Sequence, residues 1–508
     1  MLNRKIKKVM LVSPPGKVLA ANFQHCSVPL GLAYLASVIR KDFDVKIIDG
    51  RAKFQSFKPK NSKWDYYGYK QEEIVAMISQ FKPQVVGITC LFSRQVNEVI
   101  KLAEKIKKLN PQIITVVGGS HPTFLAKHTL ESAALIDFII LGEGEESFSK
   151  LLKTLDQGKD YTQIDGLAFR KDNKIIINPK QNFIADLDSL PFPAYDLLPM
   201  KFYEKKAVPF SFTYKSRKNA PVVTSRGCPA QCVFCASRNY WGNQYRARSA
   251  ENVLNEIEML VKKYGIKEIQ FTDDNLTFDK QRAKAIFQGL IDRKLNIHWN
   301  TPNGIAIWTL DEPMLELMRQ SGCYELTIAF ESGDQDVLKN IIRKPLDLNK
   351  GKQLVKKMKQ LKIQTMAFFI SGFPGETKQQ MLKSFEFAKE MDLDGAFFFI
   401  ANPTPGSDLF ELCKGKGYIE KDFLADDVDY DCSYFQTEEF ASHELESFIQ
   451  KNFNAYLTRV FLRHPFRFFK KYLKLFFIHP IMSFRLIAKG IVGFFNFNKK
   501  QKIDKDND

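Results

Sequence analysis

Arg226-Gly227-Cys228-Pro229-Ala230-Gln231-Cys232-Val233-Phe234-Cys235 decides how this chain reads. It sets three cysteines at Cys-x3-Cys-x2-Cys spacing within eight residues. The run before it, Pro221-Val222-Val223-Thr224-Ser225, reads as a short buried strand. The thiols therefore gather in a loop at a strand end, where α/β folds place their chemistry. Thiolates this close can share one soft metal centre. A structural zinc takes four protein ligands, and no fourth Cys or His lies nearby in the sequence. Three thiolates suit a [4Fe-4S] cluster with one iron left open, although cluster sites usually carry four cysteines. A zinc knuckle is the competing reading of the spacing.

Outward from this loop, strand and helix patterns alternate. Strands are predicted over 222–225, 267–272, 296–301, 324–330, 363–370 and 394–400. Helices follow over 250–264, 279–293, 311–320, 335–341, 348–360 and 377–391, the first opened by Ser249, a residue that caps helix starts. Six βα units predict a barrel short of the full eight.

With Phe234 just before the third cysteine, the loop resembles the signature of radical SAM enzymes. Their core is a partial (β/α)6 barrel, open on one side. The resemblance implies that Cys228, Cys232 and Cys235 hold a catalytic [4Fe-4S] cluster. The open iron would hold the amino and carboxyl groups of S-adenosylmethionine, with Phe234 beside it. Successive strand ends carry the rest. In Phe271-Thr272-Asp273-Asp274-Asn275, the backbone at Thr272 and Asp273 or Asp274 would lie near the methionyl amine. In Ala329-Phe330-Glu331-Ser332-Gly333, Glu331 and Ser332 would approach the ribose or carboxylate. Ile370-Ser371-Gly372-Phe373-Pro374-Gly375-Glu376-Thr377 resembles the loop beside the adenine, with Gly372 and Pro374 as contacts. Taken singly, an acid before a glycine is often no more than a cap or turn.

The first 155 residues predict a doubly wound, Rossmann-like parallel sheet. Strands are read over 9–12, 45–49, 85–90, 113–117 and 138–141, with helices over 30–40, 71–81 and 95–109. Glycines fall at the strand ends, where backbone can approach a ligand closely. The order resembles the cobalamin-binding domain that precedes many radical SAM barrels. Ser13-Pro14-Pro15, Thr89, Gly118-Gly119-Ser120 and Leu141-Gly142-Glu143-Gly144-Glu145 match its loops. The resemblance implies that Ser13, Thr89, Gly118, Gly119, Ser120, Gly142 and Glu143 bind cobalamin. The Asp-x-His-x-x-Gly motif that supplies a lower axial ligand elsewhere is absent, so neither His25 nor His121 is expected on cobalt. A flavodoxin-like domain that binds nothing is the alternative. No Gly-x-Gly-x-x-Gly follows the first strand, which weakens a dinucleotide fold.

Residues 156–215 read as a linker with a hairpin, then a proline-rich connector over 188–196. The barrel is expected over 216–425 and a helical C-terminal region over 426–508. Eight cysteines with only three clustered exclude a disulfide framework and suit a reduced, cytoplasmic setting. Residues 455–500 hold basic and Phe residues and no Asp or Glu, within a chain of net charge +18. No apolar run reaches the ~20 residues of a spanning helix. The pattern suits peripheral contact with the inner face of a membrane, or a cap on the barrel. Nucleic acid is the weaker reading.

The resemblance implies an enzyme. An electron donor such as flavodoxin or ferredoxin would reduce the cluster. Cleavage of S-adenosylmethionine would give a 5′-deoxyadenosyl radical, and methylcobalamin would methylate an unactivated carbon of a small-molecule or lipid-linked substrate. A cyclase or rearrangement enzyme without methyl transfer, and a non-catalytic cobalamin sensor, are the alternatives.

Overall fold

The computed structural model of the chain describes residues 5–19, 24, 26–58, 64–206, 214–419 and 432–465. His25 and the basic stretch beyond residue 465 lie outside the described residues.

Five parallel strands form the centre of the first sheet, in the order Asp44–Asp49, Lys8–Ser13, Val85–Thr89, Ile114–Gly118 and Phe138–Ile140. Helices Leu30–Ile39, Gln71–Phe81 and Val96–Leu109 and the pair Ser120–Phe124 and Ala126–Ser132 make the crossovers, and Gly144–Asp156 leads on to an antiparallel strand. The strands are apolar because both faces are covered, and each face has its own core. The chain leaves Lys8–Ser13 for one neighbour and returns to the other. This places the topological switch at the carboxyl ends of Lys8–Ser13 and Val85–Thr89, where such folds bind ligands.

The hairpin placed in the linker belongs instead to this sheet. Leu167–Lys171 pairs antiparallel with Phe138–Ile140, and Lys174–Ile177 pairs with Leu167–Lys171. The reason is the open edge of Phe138–Ile140, whose backbone groups need partners. The first unit thus runs through Ile177 rather than ending at 155. The connector that follows was expected to be extended, but it carries two short 3-10 turns, Leu187–Ser189 and Tyr195–Leu197, and it is anchored. Tyr195 is buried, with its hydroxyl donating to Glu256 at 2.7 Å.

The second sheet has six parallel strands in chain order: Asn219–Val222, Glu268–Phe271, His298–Ile305, Cys323–Glu331, Gln364–Ser371 and Gly395–Ile400. The partial barrel is as the sequence suggests. Its first strand ends sooner, because Ser225 and Arg226 form a separate two-residue ladder with Ala247 and Arg246. Helices start where side chains cap them. Ser249, Asp279, Asp311, Asp347, Thr377 and Ser407 each accept from a backbone N–H three residues on. The segment expected as helix 335–341 is a π-helix, Val337–Ile342. Such wide turns are frequently found at functional sites.

A third hydrophobic core bridges the two units. Val18, Val28, Ala33 and Tyr67 of the first pack into the same cluster as Val222, Phe271 and Trp299 of the barrel. Helix Ser442–Arg463 closes the outer side, with Leu445, Ile449 and Tyr456 buried and Tyr456 edge-on to Phe398. Helix Ser442–Arg463 is therefore a barrel cap. Among the described residues, no helix is long and apolar enough to cross a membrane.

Candidate functional site

The cysteine loop is held at its middle. The Val233 N–H donates to the Ile342 carbonyl at 3.0 Å, and the Val233 carbonyl accepts from the Leu409 N–H at 2.8 Å. These bonds tie the loop to the π-helix and to helix Asp408–Gly415. Cys228, Cys232 and Cys235 then line one cleft of about 650 Å³ at the carboxyl ends of the barrel strands. Among the described residues, no three His, Cys, Asp or Glu side chains close on a single metal ion. Three thiols on one cleft wall suit a cluster whose remaining iron stays open, where a structural zinc would want a fourth protein ligand. Burial raises the Cys232 thiol to about 11, whereas Cys235 opens to solvent. Cys232 is protonated at neutral pH until a metal displaces the proton.

Phe234, Asp273, Asp274 and Glu331 line the same cleft. Asp273 is buried, and its Oδ1 accepts from the Thr224 N–H (3.0 Å), the Thr224 hydroxyl (2.7 Å) and the Ser225 hydroxyl (2.6 Å). Its Oδ2 is buried without a partner. Burial raises the pKa of Asp273. An unpartnered carboxylate oxygen on the cleft wall fits a bound cation such as the amine of S-adenosylmethionine. Glu331 sits at φ 66°, a strained backbone for a residue with a side chain. That geometry aims it at Lys344, whose ammonium donates at 2.8 Å. Both are almost fully buried. Burial works against the ammonium, and Glu331 together with the nearby cysteines outweighs it, so Lys344 titrates above the usual lysine value.

Four other expected contacts stand behind the cleft wall. The Thr272 hydroxyl donates to the Val222 carbonyl, and the Ser332 hydroxyl accepts from the Asp334 N–H. Gly372, at φ 89°, lies against Leu445, and its N–H donates to Glu376 at 2.7 Å. Pro374 follows in the same turn. Glu376, buried and raised to about 7 by burial, braces that turn and escaped sequence reading. Lys344 and Trp308 escaped it too, because they follow no strand-end motif. So did Asn275, whose amide donates to the Cys228 sulfur at 3.5 Å. Hydrogen bonds to ligand sulfurs stabilise the reduced cluster and raise its potential. Asn275→Leu is expected to shift the reconstituted cluster to a more negative potential in a titration followed by electron paramagnetic resonance. An unchanged potential would show that the bond plays no part.

In the first unit the expected cobalamin residues divide. Thr89 and Gly118 sit side by side at the sheet's carboxyl edge. Gly119 holds φ 122°, and a Cβ there would stand 2.5 Å from the Cys90 carbonyl. The Ser120 hydroxyl donates to the Leu91 carbonyl. This holds the 90–93 loop with Leu91 and Phe92 turned outward, 47% and 39% exposed. Phe92 lines the same cleft as the cysteines. An apolar shelf at the switch point, facing the cluster loop, fits a broad macrocycle. Ser13 and Glu143 have other partners. The Ser13 hydroxyl donates to Asp49 at 2.6 Å. Glu143 is engaged with Arg226 and Arg246 of the barrel unit. His121 is buried, with Nδ1 2.9 Å from the Ser93 hydroxyl, and burial lowers its pKa to about 4.

Comparison with known proteins agrees with this geometry. The B12 binding domain family matches residues 16–152, and the Radical SAM superfamily matches residues 222–388. The chain is 34% identical over 449 residues to cytidylyl-2-hydroxyethylphosphonate methyltransferase of Streptomyces wedmorensis, covering 82% of this chain and 83% of that protein. It is 27% identical over 401 residues to anaerobic magnesium-protoporphyrin IX monomethyl ester cyclase of Rubrivivax gelatinosus, covering 78% and 70%. The radical S-adenosylmethionine methyltransferase TsrM of Kitasatospora setae shares the fold, with a TM-score of 0.65 at 16% identity over 81% of this chain and 76% of that one. The chain therefore belongs to the radical SAM enzymes that carry a B12-binding domain, and its cofactors are a [4Fe-4S] cluster, S-adenosylmethionine and cobalamin.

Proposed function

We propose that this enzyme methylates an unactivated carbon of a small molecule seated in the cleft. The observation that carries the reading is the shared cavity: Phe92 of the B12-binding domain and the cysteine triad of the barrel border one space. A substrate there would meet both cofactor sites at once. The relationship to a phosphonate methyltransferase supports methyl transfer. When bound, the cluster with S-adenosylmethionine supplies a radical that removes hydrogen, and cobalamin supplies the methyl group. The chain's own residues position and shield. Cys228, Cys232 and Cys235 hold the cluster. Asp273 and Asp274 orient the methionyl amine, and Glu331 with Lys344 forms the wall beside it. Leu91 and Phe92 give the macrocycle an apolar seat and keep water off it. A reduced flavodoxin or ferredoxin supplies the electron. The basic, Phe-rich residues beyond 465 support a lipid-linked substrate met at a membrane surface. The relationship to an anaerobic cyclase favours a second reading, ring closure without methyl transfer.

The test is cobalamin itself. Reconstituted protein is expected to take up a single equivalent of hydroxocobalamin. Its Co(II) state is expected to show no nitrogen superhyperfine splitting in electron paramagnetic resonance, since His121 is buried beneath the 90–93 loop. With the bound cobalamin reduced to Co(I) by a chemical reductant, S-adenosylmethionine labelled in its methyl group should then pass label to it. Splitting that disappeared in His121→Ala or His25→Ala would refute the ligand assignment. Cleavage of S-adenosylmethionine with cobalamin left unlabelled would favour the cyclase reading.

A further inference from the structure

The loop that carries the three cysteines begins at Arg226 and ends at Arg246, and these two residues face each other in a short antiparallel ladder. A single carboxylate oxygen from the other unit grips both ends. Glu143 Oε1 accepts from Arg226 Nη1 at 3.0 Å and from Arg246 Nη1 at 2.6 Å. Glu143 Oε2 accepts from the Ile184 N–H at 2.9 Å, so the carboxylate is held on both sides. Glu145 takes the remaining arm, Arg226 Nη2, at 2.6 Å. The Arg226 guanidinium also lies against the rings of Tyr34 and Trp241, and that of Arg246 against Phe183. All four charged side chains are at most 8% exposed.

Two cations and two anions balance, yet burying them is costly. An apolar contact of the same size would hold the units together as well. What the ions add is direction: the planar Arg226 guanidinium, held through one Nη by Glu143 and through the other by Glu145, fixes both distance and angle. We propose that Glu143 is a positioning residue, the clasp with which the B12-binding domain keeps the cysteine loop in its ligand-ready shape. This rests on the reading that the triad holds the cluster, and it gives the Gly142–Glu145 loop a task besides any contact with cobalamin. One consequence is that cluster retention depends on a domain that supplies no cluster ligand.

The test compares full-length Glu143→Gln with Glu98→Gln, which alters a buried acid of the same unit that bonds to Tyr66 and Gln71, remote from the cysteines. Hydrogen exchange on the metal-free chains reads the clasp without reference to iron. In Glu143→Gln, amides of residues 227–245 are expected to exchange about tenfold faster, the loss of one charged hydrogen bond, while those of Glu98→Gln stay at wild-type rates. After reconstitution, Glu143→Gln should release iron to a chelator correspondingly faster. If Glu143→Gln does not fold, Glu145→Gln, which frees only one arm of Arg226, should show the smaller version of both effects. Unchanged exchange over 227–245, or faster exchange with wild-type iron release, overturns the proposal. Wild-type protein that takes up no iron, with the exchange difference intact, refutes the cluster assignment and leaves the clasp standing as a loop-holding device.

Discussion

Cys228→Ala, Cys232→Ala and Cys235→Ala are each expected to lose the iron–sulfur cluster and all cleavage of S-adenosylmethionine. The three thiols line one cleft, their loop is pinned at Val233, and no other described group of Cys, His, Asp or Glu replaces them. A cluster held by three thiolates has no spare ligand, so removing one should not give a merely weaker site. Cys413 is the control. It is buried in helix Asp408–Gly415 and has no partner cysteine at ligand spacing. Cys413→Ala should keep wild-type iron, sulfide and visible absorption. Normal iron content in any single triad variant would defeat the assignment.

The second large effect concerns Glu331 and Lys344. Because the pair is buried, Lys344→Met leaves a carboxylate without a counter-charge, which costs roughly 3–5 kcal/mol of stability. The double variant Glu331→Leu/Lys344→Met removes both charges and is expected to regain most of that loss in a denaturant melt. It should not regain binding of S-adenosylmethionine, which the reconstituted protein reports by a change in the cluster's spectrum. A double variant that recovered both would make the pair a structural feature alone. One that recovered neither would mean that the contact of the Lys344 ammonium with the Trp308 ring matters more than its pairing with Glu331.

Much of this was legible beforehand because the deciding signals are local. The cysteine spacing, the glycines at strand ends and the capping residues each act over a few positions. The six barrel strands therefore fell close to where they were expected, and so did the helices capped by Ser249, Asp311 and Thr377. What escaped depends on contacts between distant segments. Glu143 looked like a ligand residue because its motif borders a cobalamin loop, but its partners lie 83 and 103 positions away. Ser332 looked exposed to a ligand because it follows a strand end. Its hydroxyl instead caps the turn at Asp334. The hairpin of residues 167–177 joined the first sheet because a strand edge was free, and edges are set by topology. Lys344 was invisible because a wide helical turn carries it back to a strand end thirteen residues earlier.

The core that runs without a break from Val18 and Ala33 into Phe271 and Trp299 has a bearing on how such enzymes can be diversified. Two units that merely touched could be exchanged like cassettes, each keeping its own specificity. Here a transplanted barrel would meet foreign side chains along the seam, and close-packed interiors tolerate few changes of volume. New substrates are therefore more readily reached by altering the cleft wall, at Trp308, Phe368 or Asn303, than by shuffling whole units. Lineages built on this plan would be expected to inherit both halves together.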